Sequence, residues 1–158
     1  DFASQLLQAL KREGIHTAIE TSGFFDSAHF KDKLLPWLDL IYYDIKLIDD
    51  EASKQYCGQS NQRILDNFCR LLTDAHIPII PRIPLIPGIT TTEENLRGIA
   101  AFLDKHGVKS CALMPYNPLW SDKLRKLGLT PLYQHSGFMT PAEQAACARH
   151  FTKPHSSS

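Results

Sequence analysis

The sequence is poor in the features that mark a secreted scaffold, a metal site or a membrane segment. Its 158 residues include only four cysteines, Cys57, Cys69, Cys111 and Cys147, widely spaced and with no C-x-x-C pair. Secreted disulfide scaffolds are shorter and denser in cysteine, so these four read as free thiols of a cytoplasmic protein. The seven histidines, at positions 16, 29, 76, 106, 135, 150 and 155, show no metal-ligand spacing. Neither charge is in excess: 17 Lys and Arg balance 17 Asp and Glu. A nucleic-acid binder would show a basic footprint, so no nucleic-acid partner is expected. No apolar run approaches the roughly 18 residues of a membrane span, which sets a membrane partner aside as well. The start, Asp1-Phe2-Ala3-Ser4, has neither the basic opening nor the apolar middle of a signal peptide. It also lacks an initiator Met, and the chain is therefore expected to be a piece of something longer.

What is present is an alternation. Hydrophobic residues make up 43%, an ordinary globular share. Four short apolar runs, at 15–21, 38–46, 77–85 and 109–116, alternate with helical patterns at 2–13, 27–35, about 61–74, 92–106 and 140–151. Leu6, Leu7 and Leu10 recur at helical spacing in the first helix. Ile64, Leu65, Phe68, Leu71 and Leu72 form a stripe in the third, with Ser60 or Asn61 as its cap. The third strand is rich in proline (Pro78, Pro81, Pro84), which removes ladder donors and predicts a ragged end near Pro84. Residues 49–59 and 117–137 read as polar or irregular connections. Strands alternating with helices predict an α/β fold of parallel βα units, one domain over residues 1–158 with a frayed tail at 152–158.

In parallel α/β folds ligands bind beyond the carboxyl ends of the strands. The four ends here read Glu20-Thr21-Ser22-Gly23, Asp44-Ile45-Lys46, Arg82 with 84–88, and Pro115-Tyr116-Asn117. Residues two apart on a strand share a face, so Asp44 and Lys46 point the same way. Glu20 and Asp44 would repel if both stayed charged and dry, and a cation or an ammonium group would relieve this. Lys46 and Arg82 suit a ligand carboxylate. A ligand with both an amine and a carboxylate, an amino acid or a derivative, fits such a rim. The competing reading is that these charges only pair with one another. Trp37, Tyr42 and Tyr43 read as core, and Cys57 as a surface thiol.

These strand ends also carry a resemblance. Residues 15–23, then Tyr43-Asp44-Ile45-Lys46, then Tyr56-Cys57-Gly58-Gln59-Ser60-Asn61, then residues 82–88, then Pro115-Tyr116-Asn117-Pro118-Leu119 resemble, in order and spacing over about residues 1–128, the pyruvate formate-lyase activating enzymes and their relatives in the radical S-adenosylmethionine (SAM) superfamily. The resemblance implies that the four βα units are the second part of a partial TIM-type (β/α)6 barrel lacking its first two βα units. It implies a parent enzyme that uses a [4Fe-4S] cluster and SAM to generate a glycyl radical on a partner enzyme, with a flavodoxin- or ferredoxin-type reductant. The family's C-x-x-x-C-x-x-C cluster loop and Gly-Gly-Glu amine motif are missing from this sequence. No iron–sulfur ligand, no catalytic residue and no bound cofactor are therefore expected in this piece. Carried over by position, Glu20, Thr21, Asp44 and the Tyr42 backbone correspond to a monovalent-cation site beside SAM. The first of these is Asp in the best-described members and Glu here. Lys46 and Arg82 correspond to SAM contacts, and Asn117 falls where some members have a SAM-contacting His. Loss of two βα units would bare the edge of the first strand, so self-association is expected. Two alternatives stay open: a small barrel-type aldolase with Lys46 as Schiff-base residue, and a non-enzymatic scaffold.

Overall fold

The computed structural model describes residues 2–130, 133 and 135–152; beyond residue 152, the tail expected to fray lies outside the described residues. Four parallel strands form one sheet in the order β1-β2-β3-β4: β1 (Ala18–Thr21), β2 (Leu40–Asp44), β3 (Ile79–Leu85) and β4 (Ala112–Pro115). Each strand pairs with the next in sequence, with Glu20 opposite Tyr42, Asp44 opposite Arg82 and Arg82 opposite Ala112. This sequential order is that of a barrel wall; a doubly wound sheet reverses direction part-way. The helices are α1 (Phe2–Arg12), α2 (Ser27–Lys33), α3 (Asp50–Cys57), α4 (Gln62–Asp74), α5 (Glu93–Lys105), α6 (Trp120–Lys126) and α7 (Pro141–Ala148).

Alternation along β2 separates the two faces of the sheet. Ile41, Tyr43 and Ile45 are buried, whereas Tyr42, Asp44 and Lys46 are only partly covered. The buried set packs with Ile83 and Leu85 of β3 against Phe68 of α4 and Leu96 and Ile99 of α5. The other face bears Glu20, Tyr42, Asp44 and Arg82. Tyr43 joins the layers: its ring packs 5.1 Å from that of Phe68, and its hydroxyl donates to the Ile64 carbonyl at 2.6 Å. Burial pushes the phenol's pKa well up, so it stays a protonated donor.

Several local expectations need correction. The strands are shorter than the apolar runs. Residues 15–17 do not extend β1, because Thr17 turns to Asp39: its N–H donates to Asp39 Oδ2 at 2.8 Å and its hydroxyl to the Trp37 carbonyl at 2.6 Å. β3 is not ragged at Pro84, which pairs with Met114. A proline loses its donor but keeps its acceptor, and the Pro78 carbonyl still accepts from Ile41 N at 3.1 Å. Two helices replace expected loops. α3 has only Ser53 buried and so lacks an apolar stripe. Asp49 caps it, Gly58 ends it at φ 73°, and Lys54 bridges Asp50 and Glu51 at 2.8 Å each. α6 has Leu119 at its N-cap position and so starts without a side-chain cap. The last helix has the expected Thr140 cap, completed as a capping box by Glu143.

Asp39 fastens α1 to the sheet by an ion pair with Lys11. That hydrogen bond, with the one from Thr17 N, holds its carboxyl down from 3.8 to about 2. Ionised Asp39 therefore stabilises the fold above the ordinary carboxylate range, and the contribution is lost as pH falls through about 2. Asp39→Asn should flatten the acid limb of the urea midpoint between about pH 4 and pH 2, whereas the unsubstituted chain should weaken steadily there. An identical acid limb in the two proteins would remove Asp39 from the account.

Candidate functional site

β1, β2 and β3 bring charged side chains together on the face away from the helices. Glu20 and Asp44 come from the carboxyl-terminal parts of β1 and β2. Arg82 comes from the middle of β3, which runs on to Leu85 and does not end at Arg82 as the sequence suggests. Arg82 is the centre. Its Nε donates to Asp44 Oδ1 at 2.9 Å and its Nη1 to Glu20 Oε1 at 2.7 Å. Lys46 Nζ lies 3.4 Å from Asp44 Oδ2. The Arg82 guanidinium carbon sits 5.5 Å from the centroid of the Tyr42 ring, within cation–π range. The two carboxylates thus meet a guanidinium. The Glu20 hydrogen bond, aided by Asp44 and opposed by partial burial, raises the Arg82 pKa, and the group is permanently charged.

The members of this cluster differ in freedom. Arg82 and Asp44 side chains are 14% and 18% exposed, but Glu20 is 64% exposed. The inner pair is the fixed part; the Glu20 arm is solvated and free to swing away at little cost. Lys46 is 35% exposed. Lys46 stands on a charged rim with its ammonium against the Asp44 carboxylate, not in an apolar pocket, so nothing here favours the Schiff-base alternative.

Not every expected residue joins. Thr21 alternates to the helix-covered side of β1, and its hydroxyl accepts from Gly23 N at 3.0 Å. Asn117 follows β4 and accepts from Leu119 N at 2.9 Å, shaping its own loop. Tyr42 is not core: its ring lies beneath Arg82. Tyr43 is core, fully buried, and Trp37 is half-buried in a turn. Cys57 is exposed, as expected of a surface thiol. Among the described residues no three His, Cys, Asp or Glu side chains converge as a metal-ligand set. Cys69 lies against His106 at 3.4 Å, and burial raises its pKa. No helix of the described residues is long and apolar enough to cross a membrane.

The loops bearing the rim are held by three asparagines that sequence reasoning does not single out for that task. Asn67 donates to the Gly23 and Phe25 carbonyls, both at 2.9 Å. Asn61 donates to the Leu47 and Ile48 carbonyls at 3.1 and 2.7 Å, so its side chain does not cap α4, the role the sequence suggests. Asn95 donates to the Lys46 and Thr90 carbonyls at 2.9 and 2.8 Å and accepts from Ile48 N at 2.8 Å. A signal exists in the sequence: Asn67 and Asn95 stand on the apolar stripes of their helices, where an amide is costly unless bonded.

No protein-family model matches the chain. It is 39% identical over 125 residues to an isethionate sulfite-lyase activating enzyme of Nitratidesulfovibrio vulgaris, covering 77% of this chain and 39% of that one. It is 34% identical over 150 residues to a pyruvate formate-lyase-activating enzyme of Staphylococcus epidermidis, covering 91% of this chain and 59% of that one. The chain thus spans roughly half the length of the curated relatives it matches. A crystal structure of a domain of a pyruvate-formate lyase-activating enzyme from Bacteroides vulgatus superposes with a TM-score of 0.67 at 25% identity, over 95% of this chain and 83% of that one. The four parallel βα units therefore correspond to the second part of a radical SAM partial barrel, and the chain belongs to the family of glycyl-radical-enzyme activating enzymes.

Proposed function

We propose that the protein to which this chain belongs is a radical SAM activating enzyme. It would use SAM and a [4Fe-4S] cluster to install a glycyl radical on a partner enzyme, drawing electrons from a flavodoxin- or ferredoxin-type protein. The observation that supports it most is the charged cluster that β1, β2 and β3 present on one face, in a chain that is similar over 77% of its length to an activating enzyme.

The rim suits the amino-acid end of SAM. A ligand carboxylate would take the place of the solvated Glu20 carboxylate on Arg82 Nη1, while the inner Asp44–Arg82 pair stays as the anchor. Lys46 adds a second cation beside it. Glu20 and Asp44 are then the groups to receive an ammonium or a monovalent cation, with the Tyr42 carbonyl beside them, Thr21 next to Glu20 in the chain but with its side chain on the helix-covered side, and Asn117 at the β4 end. Bound there, SAM supplies the adenosyl group for hydrogen abstraction; this chain's part is to hold and orient it. The cluster is different. Cys57 is exposed, Cys147 is buried, and Cys69 faces His106. These thiols do not fit a cluster site, and its ligands would have to come from outside the described residues.

The test is anaerobic reduction of the full-length protein with dithionite in the presence of SAM. The expected products are methionine and 5′-deoxyadenosine, with a glycyl-radical signal once the cognate partner is added. Absence of SAM turnover in a fully iron-loaded preparation would defeat the proposal.

A further inference from the structure

We infer that Asn61, Asn67 and Asn95 are positioning residues, which set the charged rim by fixing the two loops that continue the strands bearing Glu20 and Asp44, one of which carries Lys46; this rests on the rim being the SAM site. Strand β2 leaves its ladder after Asp44, the last regular bond being from Ile45 N to the Arg82 carbonyl at 2.9 Å. From there, side chains take over from the sheet. Asn95 and Asn61 bond the Lys46, Leu47 and Ile48 carbonyls and the Ile48 amide. Those are consecutive residues, and the first carries the Lys46 ammonium. On the β1 side Asn67 bonds the Gly23 and Phe25 carbonyls, directly beyond Glu20 and Thr21.

The asparagines are 4%, 4% and 5% exposed. A carboxamide suits the task because it offers two donors and an acceptor on one short, stiff side chain. Asn95 uses all three, which ties β2's loop to the start of α5 and to Thr90, whose hydroxyl in turn donates to the Pro84 carbonyl at 2.5 Å. Asn61, at the N-cap position of α4, and Asn67, within that helix, serve different loops. That helix therefore sets the spacing between the Glu20 side and the Lys46 side of the rim. Asn61 sits at the N-cap position, yet its side chain turns to the β2 loop and leaves the capping undone.

The arrangement predicts a crossed pattern. Asn95→Ala should release the Ile48 amide, raising its hydrogen exchange on the order of 100-fold while residues 23–25 stay protected. Asn67→Ala should do the reverse. Both should weaken SAM binding by the cluster-loaded full-length enzyme on the order of tenfold, with iron content unchanged. Leu96→Ala supplies the control: it is buried on α5 beside Asn95 but touches neither loop's backbone through a hydrogen bond, and it should cost stability with SAM affinity kept within about threefold. If Asn95→Ala does not fold, Asn95→Asp keeps the acceptor of the Ile48 amide and loses only the donors to the Lys46 and Thr90 carbonyls, so the loss of SAM affinity is expected of it while the Ile48 amide stays protected. Uniform loss of protection across all variants, or an equal affinity loss in Leu96→Ala, would reduce the asparagines to general structural residues. If the unsubstituted enzyme fails to bind SAM, the site reading falls by itself, and the crossed exchange pattern still decides whether the clamps exist.

Discussion

Gly23→Ala is expected to lower the unfolding free energy by about 3 kcal/mol or more, from left-handed backbone strain and overpacking together. Gly23 has φ 80°, in the left-handed region, and it is buried. A Cβ built there would stand 2.0 Å from Tyr43 Oη and 2.4 Å from Tyr43 Cζ. Tyr43 cannot step aside, because its ring is wedged beside Phe68 and its hydroxyl holds the Ile64 carbonyl. Tyr43→Phe alone should cost about 1 kcal/mol for the lost hydrogen bond. In the double variant the worst contact goes but the ring carbon remains, so rescue should be partial. Urea unfolding of the four proteins gives the coupling directly. A loss below about 1 kcal/mol for Gly23→Ala would mean that the turn after β1 moves freely, against the Asn67 clamp on the same residue.

The parts of this fold that are legible in the sequence are those where one physical pattern dominates. Ile64, Phe68 and Leu71 at helical spacing mark α4, and Thr140-Pro141 marks the start of α7, because an apolar stripe and a capping pair each have a single common cause. α3 escapes because nothing apolar repeats in it; it is stabilised by caps at both ends and by Lys54 between two acids. The strand lengths escape for another reason. Apolar residues at 15 and 38 continue each run, but pairing stops where Thr17 and Asp39 bond sideways, and that depends on two residues 22 apart meeting. At the rim, sharing of one face by Asp44 and Lys46 is legible from strand parity. What is not legible is that Arg82 would reach both carboxylates, since that requires the parallel register that puts it opposite Asp44 and within reach of Glu20 across β2, two strands away. The relief expected from a cation or an ammonium is supplied within the chain by a guanidinium. The structure shows the internal ion pairs; in the proposed ligand reading, the solvated Glu20 is the outer arm that a ligand carboxylate would displace.

The second large effect follows from that exchange. In the full-length enzyme Arg82→Ala should weaken SAM binding on the order of 100-fold, and Lys46→Ala on the order of tenfold, by loss of charge-assisted contacts. Arg82 has the larger share because it is both contact and scaffold: without it Asp44, 18% exposed, and Glu20 face each other with no guanidinium between them. Arg82→Lys should fall between these two variants, because a single ammonium cannot hold Asp44 and a ligand carboxylate in the planar, two-armed manner of a guanidinium. Iron content and the cluster's absorbance should be unchanged in all three, since under the proposed function the cluster's ligands lie outside the rim, and among the described residues no three cysteine or other ligand side chains converge. Calorimetry with SAM, and iron analysis of the same samples, separate the two properties. Unchanged SAM affinity in both alanine variants would make the rim an ion-pair network that only closes the sheet. Parallel loss of iron and SAM would instead mean that the substitutions unsettle the barrel as a whole. Affinity lost with iron retained is the outcome that assigns Arg82 to the ligand, and the greater loss for Arg82 than for Lys46 would reflect its second task of keeping Asp44 in place.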